Sequence, residues 1–190
     1  FDVELAPTGS IFIVQLSPLG GLPVMGITMS QLVDRCEELE NVIESSSEAN
    51  ILADQVMNHP ADASCIELLQ SWVERRKIAG KENRIGELVT TLREEFGQTC
   101  ISKLAKGANI SHRHLHRLMR QEVGHSPKHF SRIMRFDHAV QLGRVRPEIP
   151  LTQIAQLAGY SDQAHMTREF VQLGGVRPGD LQREIGAMIW

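Results

Sequence analysis

Residues 104–127 read LAKGANISHRHLHRLMRQEVGHSP, and residues 154–178 read IAQLAGYSDQAHMTREFVQLGGVRP. The two stretches are copies of one pattern, repeated at a period of about 50 residues. Each copy starts with a short helix-forming run, passes through a tight turn into an amphipathic run, and ends at a glycine before a proline. This order predicts a helix-turn-helix unit whose second helix is presented to the outside.

Matching residues fill the positions that such a unit needs. Ala105 and Ala155 are small enough for a second helix to cross close by, and Asn109 and Gly159 tolerate the left-handed backbone of a tight turn. Ser111 and the pair Ser161-Asp162 are predicted to cap the second helices. The other matched pairs are Leu104 with Ile154, Leu115 with Met166, Arg117 with Arg168, Met119 with Phe170, Gly124 with Gly175 and Pro127 with Pro178.

Helical phase gives each second helix a buried side and a presented side. The buried residues are predicted to be Leu115, Leu118, Met119 and Val123 in the first copy, and Met166, Phe170 and Leu173 in the second. The presented residues are predicted to be His112, Arg113, His116, Arg117 and Arg120, and then Gln163, Ala164, Thr167 and Arg168 flanked by His165. Arginine reads guanine and glutamine pairs with adenine, so both faces suit DNA bases.

The charge is divided unevenly along the chain. Residues 1–83 hold 5 basic and 13 acidic residues, whereas residues 84–190 hold 15 basic and 10 acidic residues. Between Gly97 and Phe136 there are eight basic residues and a single acid, Glu122. A local basic field suits a polyanion, although charge alone favours a solvated helix surface.

The rest of the chain predicts mainly helices. Residues 1–16 alternate weakly and predict one or two strands, 19–26 predict a loop, and 29–43, 48–57 and 61–78 predict helices. From residue 84 onward only helices and short turns are expected, including a long helix at 127–143. We predict two domains, 1–80 and 84–190, with helix-turn-helix subdomains at about 84–126 and 144–185.

Several classes of protein are disfavoured. No apolar run is long enough to span a membrane, and the chain lacks a signal peptide and an initiator Met, which suggests that it begins inside a longer protein. Cys36, Cys65 and Cys100 lack metal or disulfide spacing and are expected to be packed, reduced thiols. His112 and His116 share a helix face, but no third ligand other than Glu122 lies near, so no metal site is predicted. No catalytic motif occurs, so an enzyme is not expected, and neither is a cofactor.

The second copy carries the pattern Ile154-Ala155, Gly159-Tyr160-Ser161-Asp162-Gln163, Phe170, Gly175, Pro178 and Arg183. Together with the first copy it resembles the AraC/XylS family of bacterial transcription regulators, over about residues 84–185. The resemblance implies two subdomains joined by the long helix, whose recognition helices enter successive major-groove segments of DNA about 34 Å apart. It also implies regulation, more often activation, of nearby promoters through RNA polymerase.

The resemblance carries base contacts onto particular positions of this chain. The implied base-contacting residues are Arg113, His116, Arg117, Gln163, Ala164, His165 and Arg168. Helix N-termini, hydroxyls and basic side chains suit phosphates. The expected phosphate-contacting residues are Ser111, His112, Arg120, Lys128, Arg132, Ser161 and Thr167.

Residues 1–77 are similar to the end of the sensor region of some regulators in this family. The expected fold is therefore mainly α, with a small α+β remnant of a sensor domain before the two-unit DNA-binding domain. This region is expected to bind a small-molecule effector or to form a homodimer, and the protein is expected in the cytoplasm, with double-stranded DNA as partner. Two alternatives remain: a helical protein-interaction module with a basic surface, and a small-molecule sensor whose DNA-binding half is passive.

Overall fold

The structure is a computed structural model, and it describes residues 12–43, 45–58, 62–78, 85–180 and 183. The chain divides into two compact units. The first contains residues 1–84 and 120–124, and the second contains residues 85–119 and 125–190. No strand occurs among the residues described, so the fold is helical.

The N-terminal unit contains short and long helices. Their bounds are α1 at Gly21–Met25, a 3₁₀ turn at Met29–Gln31, α2 at Leu39–Val42, α3 at Ser46–Met57 and α4 at Asp62–Ile78. Its core is formed by buried Val24, Ile43, Ala49, Leu52 and Trp72. Trp72 is therefore a core residue.

Three predictions for the N-terminal unit either differ from the structure or lie mainly outside the residues that it describes. The helix predicted for 29–43 is wrong, because Asp34 adopts a left-handed conformation at φ 56° between the 3₁₀ turn and α2. The loop predicted for 19–26 contains α1. The predicted strands fall mainly on residues 1–11, which lie outside the described residues, and residues 12–16 form no strand. An α+β remnant is therefore not supported.

The C-terminal unit consists of the helices that the sequence predicts. They are α5 at Gly86–Glu94, α6 at Ile101–Gly107, α7 at His112–Glu122, α8 at Pro127–Val145, α9 at Leu151–Leu157 and α10 at Gln163–Gly174, and only the last residues of α7, 120–122, fall in the first unit. α8 packs against α5, α9 and α10 and so runs through the whole unit. Of the predicted last helix, residues 178–180 and 183 are helical, and the remainder lies outside the described part.

The apolar stripes pack as helical phase predicts. Leu115, Leu118 and Met119 of α7 are buried, and so are Met166 and Phe170 of α10. Val123 and Leu173, at the ends of the stripes, are half-buried. One core of the C-terminal unit is formed by Ala139, Ile154, Ala155, Ala158, Tyr160, Met166 and Phe170.

The two helix-turn-helix turns have the same backbone hydrogen bonds. In the first turn the Ile110 amide donates to the carbonyl of Ala105 at 3.0 Å, and in the second the Tyr160 amide donates to Ala155 at 2.9 Å. Asn109 and Gly159 lie in the left-handed region at φ 53° and 80°. This is the Schellman arrangement, which ends a helix and satisfies its last carbonyls. The sequence prediction of both turns is confirmed.

A further left-handed glycine, Gly97, lies in the turn after α5, at φ 69°. A Cβ at this position would overlap the backbone carbonyl of Ser131 in α8. The close approach of turn and helix therefore depends on the absence of a side chain, in addition to the backbone conformation.

We expect Gly97→Ala to lower the free energy of unfolding of the C-terminal unit by about 2 kcal/mol or more, because it combines left-handed strain with overpacking. Gly107→Ala is the matched control, since a Cβ there meets nothing within 4 Å and alanine favours a helix. Thermal and urea unfolding followed by circular dichroism compare the two variants. Equal stability of Gly97→Ala and the unmodified protein would contradict the packing argument.

The same turn stacks an aromatic ring on α8. The rings of Phe96 and His138 are nearly parallel, at 14°, with centroids 3.7 Å apart. Desolvation by burial lowers the pKa of His138 from its ordinary value, and the nearby Asp137 opposes this only in part. The folded protein therefore prefers neutral His138.

A depressed pKa in the folded state means that the contribution of His138 is present above pH 6.5 and is lost as the pH falls through the folded-state pKa. We expect His138→Phe, which keeps a stacked ring but does not titrate, to lose less stability between neutral and mildly acidic pH. Unfolding midpoints measured across this range provide the test. Parallel pH profiles for the two proteins would show that His138 does not contribute.

Candidate nucleic-acid interface

The exposed side of α7 is strongly basic. All five residues predicted from helical phase are exposed, namely His112, Arg113, His116, Arg117 and Arg120, and Gln121 is exposed beside them. Glu122, the single acid of α7, is 7% exposed and lies among the buried residues instead. The exposed side therefore presents cations and imidazoles with no acidic side chain between them.

α7 begins at a neutral cap. The Ser111 hydroxyl accepts a hydrogen bond from the His114 amide at 3.2 Å, which satisfies one free N–H of the first helical turn. The positive end of the helix dipole thus remains uncompensated by any charge at this end. Backbone, cap and side chains together give the start of α7 a positive potential that suits an anion.

α10 begins at a charged cap. The Asp162 carboxylate accepts a hydrogen bond from the His165 amide at 2.6 Å, and this bond is the largest cause of the lowered pKa of Asp162. Ser161 Oγ lies 3.1 Å from His165 Nδ1, and the His165 ring meets Tyr160 edge-on at 5.4 Å. Cap and neighbours therefore fix the orientation of His165.

The presented side of α10 is less basic than that of α7. Gln163, Ala164 and Arg168 are exposed, whereas His165 and Thr167 are half-buried. The Thr167 hydroxyl donates to the carbonyl of Gln163 at 2.9 Å, within the helix. The two faces therefore differ in charge. The exposed side of α7 carries basic side chains and no acid, whereas α10 carries a single exposed arginine beside the Asp162 carboxylate.

Arg132, an expected phosphate contact, is paired within the protein in this structure. Its Nε donates to both carboxylate oxygens of Glu169, at 2.9 and 2.8 Å, and its Nη2 donates to Gln172 at 2.7 Å. Arg132 is 23% exposed and Glu169 12%, so the pair is largely withdrawn from water. It ties α8 to α10 instead of facing a ligand. Lys128, in the first turn of α8, is exposed.

Sequence reasoning missed Glu169, although a signal was present. Glu169 lies three residues after Met166 and one before Phe170, on the apolar side of α10. An acid on a buried stripe requires a cation nearby, because an unpaired buried carboxylate is costly. The pairing itself depends on tertiary structure and does not follow from the helical pattern.

The cysteines depart from the sequence prediction in part. Cys65 is buried, as predicted, whereas Cys36 and Cys100 are exposed. Cys100 is the residue before the first turn of α6, and not a core residue of that helix. A hydrogen bond with the Ser102 hydroxyl is the largest cause of the lowered pKa of the Cys100 thiol.

The ranges given above also bear on metal sites and on membrane-spanning helices. Among those residues, no three histidine, cysteine or acidic side chains are grouped so that they could hold a metal ion. The helices that the structure describes include none of the length and apolarity needed to cross a membrane.

A short helix, a Schellman turn and an amphipathic helix with its polar side outward, present twice, define a pair of helix-turn-helix units. Comparison with known proteins agrees: residues 104–184 match the model of a family described as a helix-turn-helix domain. The match covers 81 of the 190 residues of the chain.

The chain is similar to two curated bacterial proteins. It is 28% identical over 130 residues to the HTH-type transcriptional regulator GlxA of Rhizobium meliloti, and this covers 68% of the chain and 33% of that protein. It is 25% identical over 139 residues to the probable transcriptional regulator LumQ of Photobacterium leiognathi, covering 68% and 56%. The chain thus spans one third to just over half of these relatives.

A solved structure is also similar. The C-terminal domain of AraT, a response regulator from Geobacillus stearothermophilus, superposes with a TM-score of 0.50 at 26% sequence identity. The match covers 53% of this chain and 84% of that domain. Over about half of its length the chain therefore shares the helical arrangement of that domain.

The caps of the two second helices provide a test of local stability. We expect Ser111→Ala to lower the free energy of unfolding by about 1 kcal/mol, because an amide of α7 loses its acceptor. Ser111→Asp is the matched control: aspartate caps the equivalent helix α10, so stability should be retained. Urea unfolding distinguishes them, and equal losses in both variants would show that the hydroxyl does not act as a cap.

Proposed function

We propose that the chain is part of a sequence-specific DNA-binding transcription regulator, which reads two successive major-groove segments with α7 and α10. The observation that carries the proposal is the acid-free basic side of α7, exposed on a helix-turn-helix unit whose helical arrangement is repeated around α10. The names of the curated relatives, both transcriptional regulators, support it.

In this proposal each exposed face reads bases with the groups that it presents. Arg113 and Arg117 of α7 donate to guanine, and His116 lies one turn after His112 on the same side. On α10, Gln163 pairs with adenine and Ala164 contacts a thymine methyl group. His165 and Arg168 complete the base-contacting set.

The phosphate contacts are proposed at the rims of these faces. The residues are Ser111, His112, Arg120, Lys128, Ser161 and Thr167, without Arg132, whose guanidinium is paired with Glu169. Because Asp162 places a negative charge at the start of α10, α7 supplies most of the phosphate attraction and α10 mainly selects bases. This division of work follows from the charges of the two faces.

The finer parts of the proposal concern the rest of the protein. We infer that it acts in the cytoplasm, activates promoters through RNA polymerase, and senses an effector or forms a homodimer through residues 1–77. A cavity of about 490 Å³ in the N-terminal unit, lined by Phe12, Leu16, Ile66, Leu69 and Val73 among others, is of the size of small-molecule sites. A protein-interaction module is less favoured, since it has no need of two outward basic or amide-bearing helices.

The base contacts are tested after selection of bound sequences from a pool of random duplexes. We expect Arg113→Ala and Arg117→Ala each to weaken binding to the selected sequence by about 1–3 kcal/mol, with smaller losses on scrambled duplex. Arg93→Ala is the matched control, because Arg93 is exposed on α5. This variant should bind both duplexes like the unmodified protein. Equal losses on both duplexes would show that these arginines contact phosphate alone.

A salt titration separates DNA binding from protein binding. Neutralisation of phosphates releases counterions, so the affinity should fall steeply with salt concentration, and Lys128→Ala should reduce that slope by about one. Absence of any selected sequence, together with a flat response to salt, would overturn the proposed function.

A further inference from the structure

The turn that follows α5, in the first helix-turn-helix unit, contacts the turn of the second unit. Gln98 Nε2 donates a hydrogen bond to the carbonyl of Leu157, at the end of α9, at 3.3 Å. The same side chain covers Gly159: a Cβ on Gly159 would lie 2.8 Å from Gln98 Cδ and Cγ. Gln98 and Leu157, 59 positions apart in sequence, thus join the two helix-turn-helix units directly.

Arg135 of α8 joins the same two turns from the other side. Its Nη1 donates to the carbonyl of Gly97 at 3.1 Å, and its guanidinium lies 5.9 Å from the centroid of the Tyr160 ring. Arg135 is half-buried, so this cation–π contact is partly withdrawn from water and is strengthened accordingly. The two contacts place one side chain between the turn of the first unit and the turn of the second.

The glycine at 159 is explained by this packing better than by its backbone angle. The equivalent residue of the first unit is Asn109, which adopts a similar left-handed conformation at φ 53°. Asparagine is therefore accepted by this type of turn within the same protein. What distinguishes Gly159 is the Gln98 side chain above it, which would have to shift to admit a side chain at 159.

We propose that these contacts form a clasp, defined as residues 96–98, Arg135 and residues 157–160, that fixes the two recognition helices at one separation and so sets the spacing of the two DNA segments. This inference rests on the proposed function. Two linked modules gain affinity from each other only when both engage together. A clasp that removes the freedom between them therefore favours one segment spacing and penalises the others.

The test uses the full chain and a set of duplexes built from its selected sequence. The two recognised blocks are kept, and the spacing between them is changed by one or two base pairs in either direction. Two base pairs rotate one block by about 70° relative to the other and shift it by about 7 Å. Binding of the unmodified protein should fall by about tenfold or more on the altered spacings, because one helix then loses its segment.

Two variants open the clasp without touching either recognition face. Gln98→Ala removes the hydrogen bond, and Gly159→Asn displaces the Gln98 side chain while keeping a residue that tolerates the left-handed turn. In both, affinity at the selected spacing should fall by about three- to tenfold and the dependence on spacing should flatten. Affinity for a duplex with a single block should be unchanged, which a general loss of folding would not allow. Gln156→Ala, exposed on α9, is the matched control.

The outcomes separate the two proposals. If the unmodified protein selects two blocks at one spacing and both variants keep the same spacing profile, the clasp is overturned and the proposed function stands. If the unmodified protein selects no sequence, the proposed function fails, and the clasp fails with it. Circular dichroism of both variants accompanies the binding data, so that reduced single-block affinity is assigned to unfolding and counts against the clasp.

Discussion

The close crossing of two helices at an alanine is the constraint on which each helix-turn-helix unit depends. Ala105 is 2% exposed and Ala155 is fully buried, and Ala155 packs in one core with Met166 and Phe170 of the following helix. A larger side chain at this point would separate the helices and change the angle at which the second helix leaves the fold. The left-handed residue four positions later then reverses the chain within a few residues.

Much of the C-terminal unit follows from the sequence, because its determinants are local and occur twice. Helical phase, caps and left-handed turns each act within about a turn of helix, and a repeat shows which of them matter. The basic exposed residues of α7, and Gln163, Ala164 and Arg168 of α10, were therefore predictable from the sequence. The caps at Ser111 and Asp162 and the turns at Asn109 and Gly159 were predicted as the structure has them.

The errors concern features decided by tertiary contacts. The pairing of Arg132 does not follow from the basic stretch in which it lies, because its partner Glu169 is 37 residues away and its other partner, Gln172, still further. The predicted helix at 29–43 had a suitable apolar spacing, yet the chain turns at Asp34, whose left-handed conformation no propensity rule requires. The Gln98–Gly159 contact was equally invisible, since it joins two turns that look unrelated in sequence.

The structure also explains why two copies of one pattern need not do the same work. A neutral serine caps α7, so the helix dipole and three exposed arginines act together on an anion. A charged aspartate caps α10, where the carboxylate offsets the dipole and Arg168 is the exposed arginine that the described part of this helix presents. In the proposed function, α7 attracts DNA strongly and α10 selects bases. This division is useful only if α10 reaches its own DNA segment when α7 binds. The clasp and the Arg132–Glu169 pair, which fixes α10 to α8, provide that coupling. In the proposed function, the Arg132–Glu169 ion pair thus helps to determine how the exposed charges of α7 and α10 meet DNA.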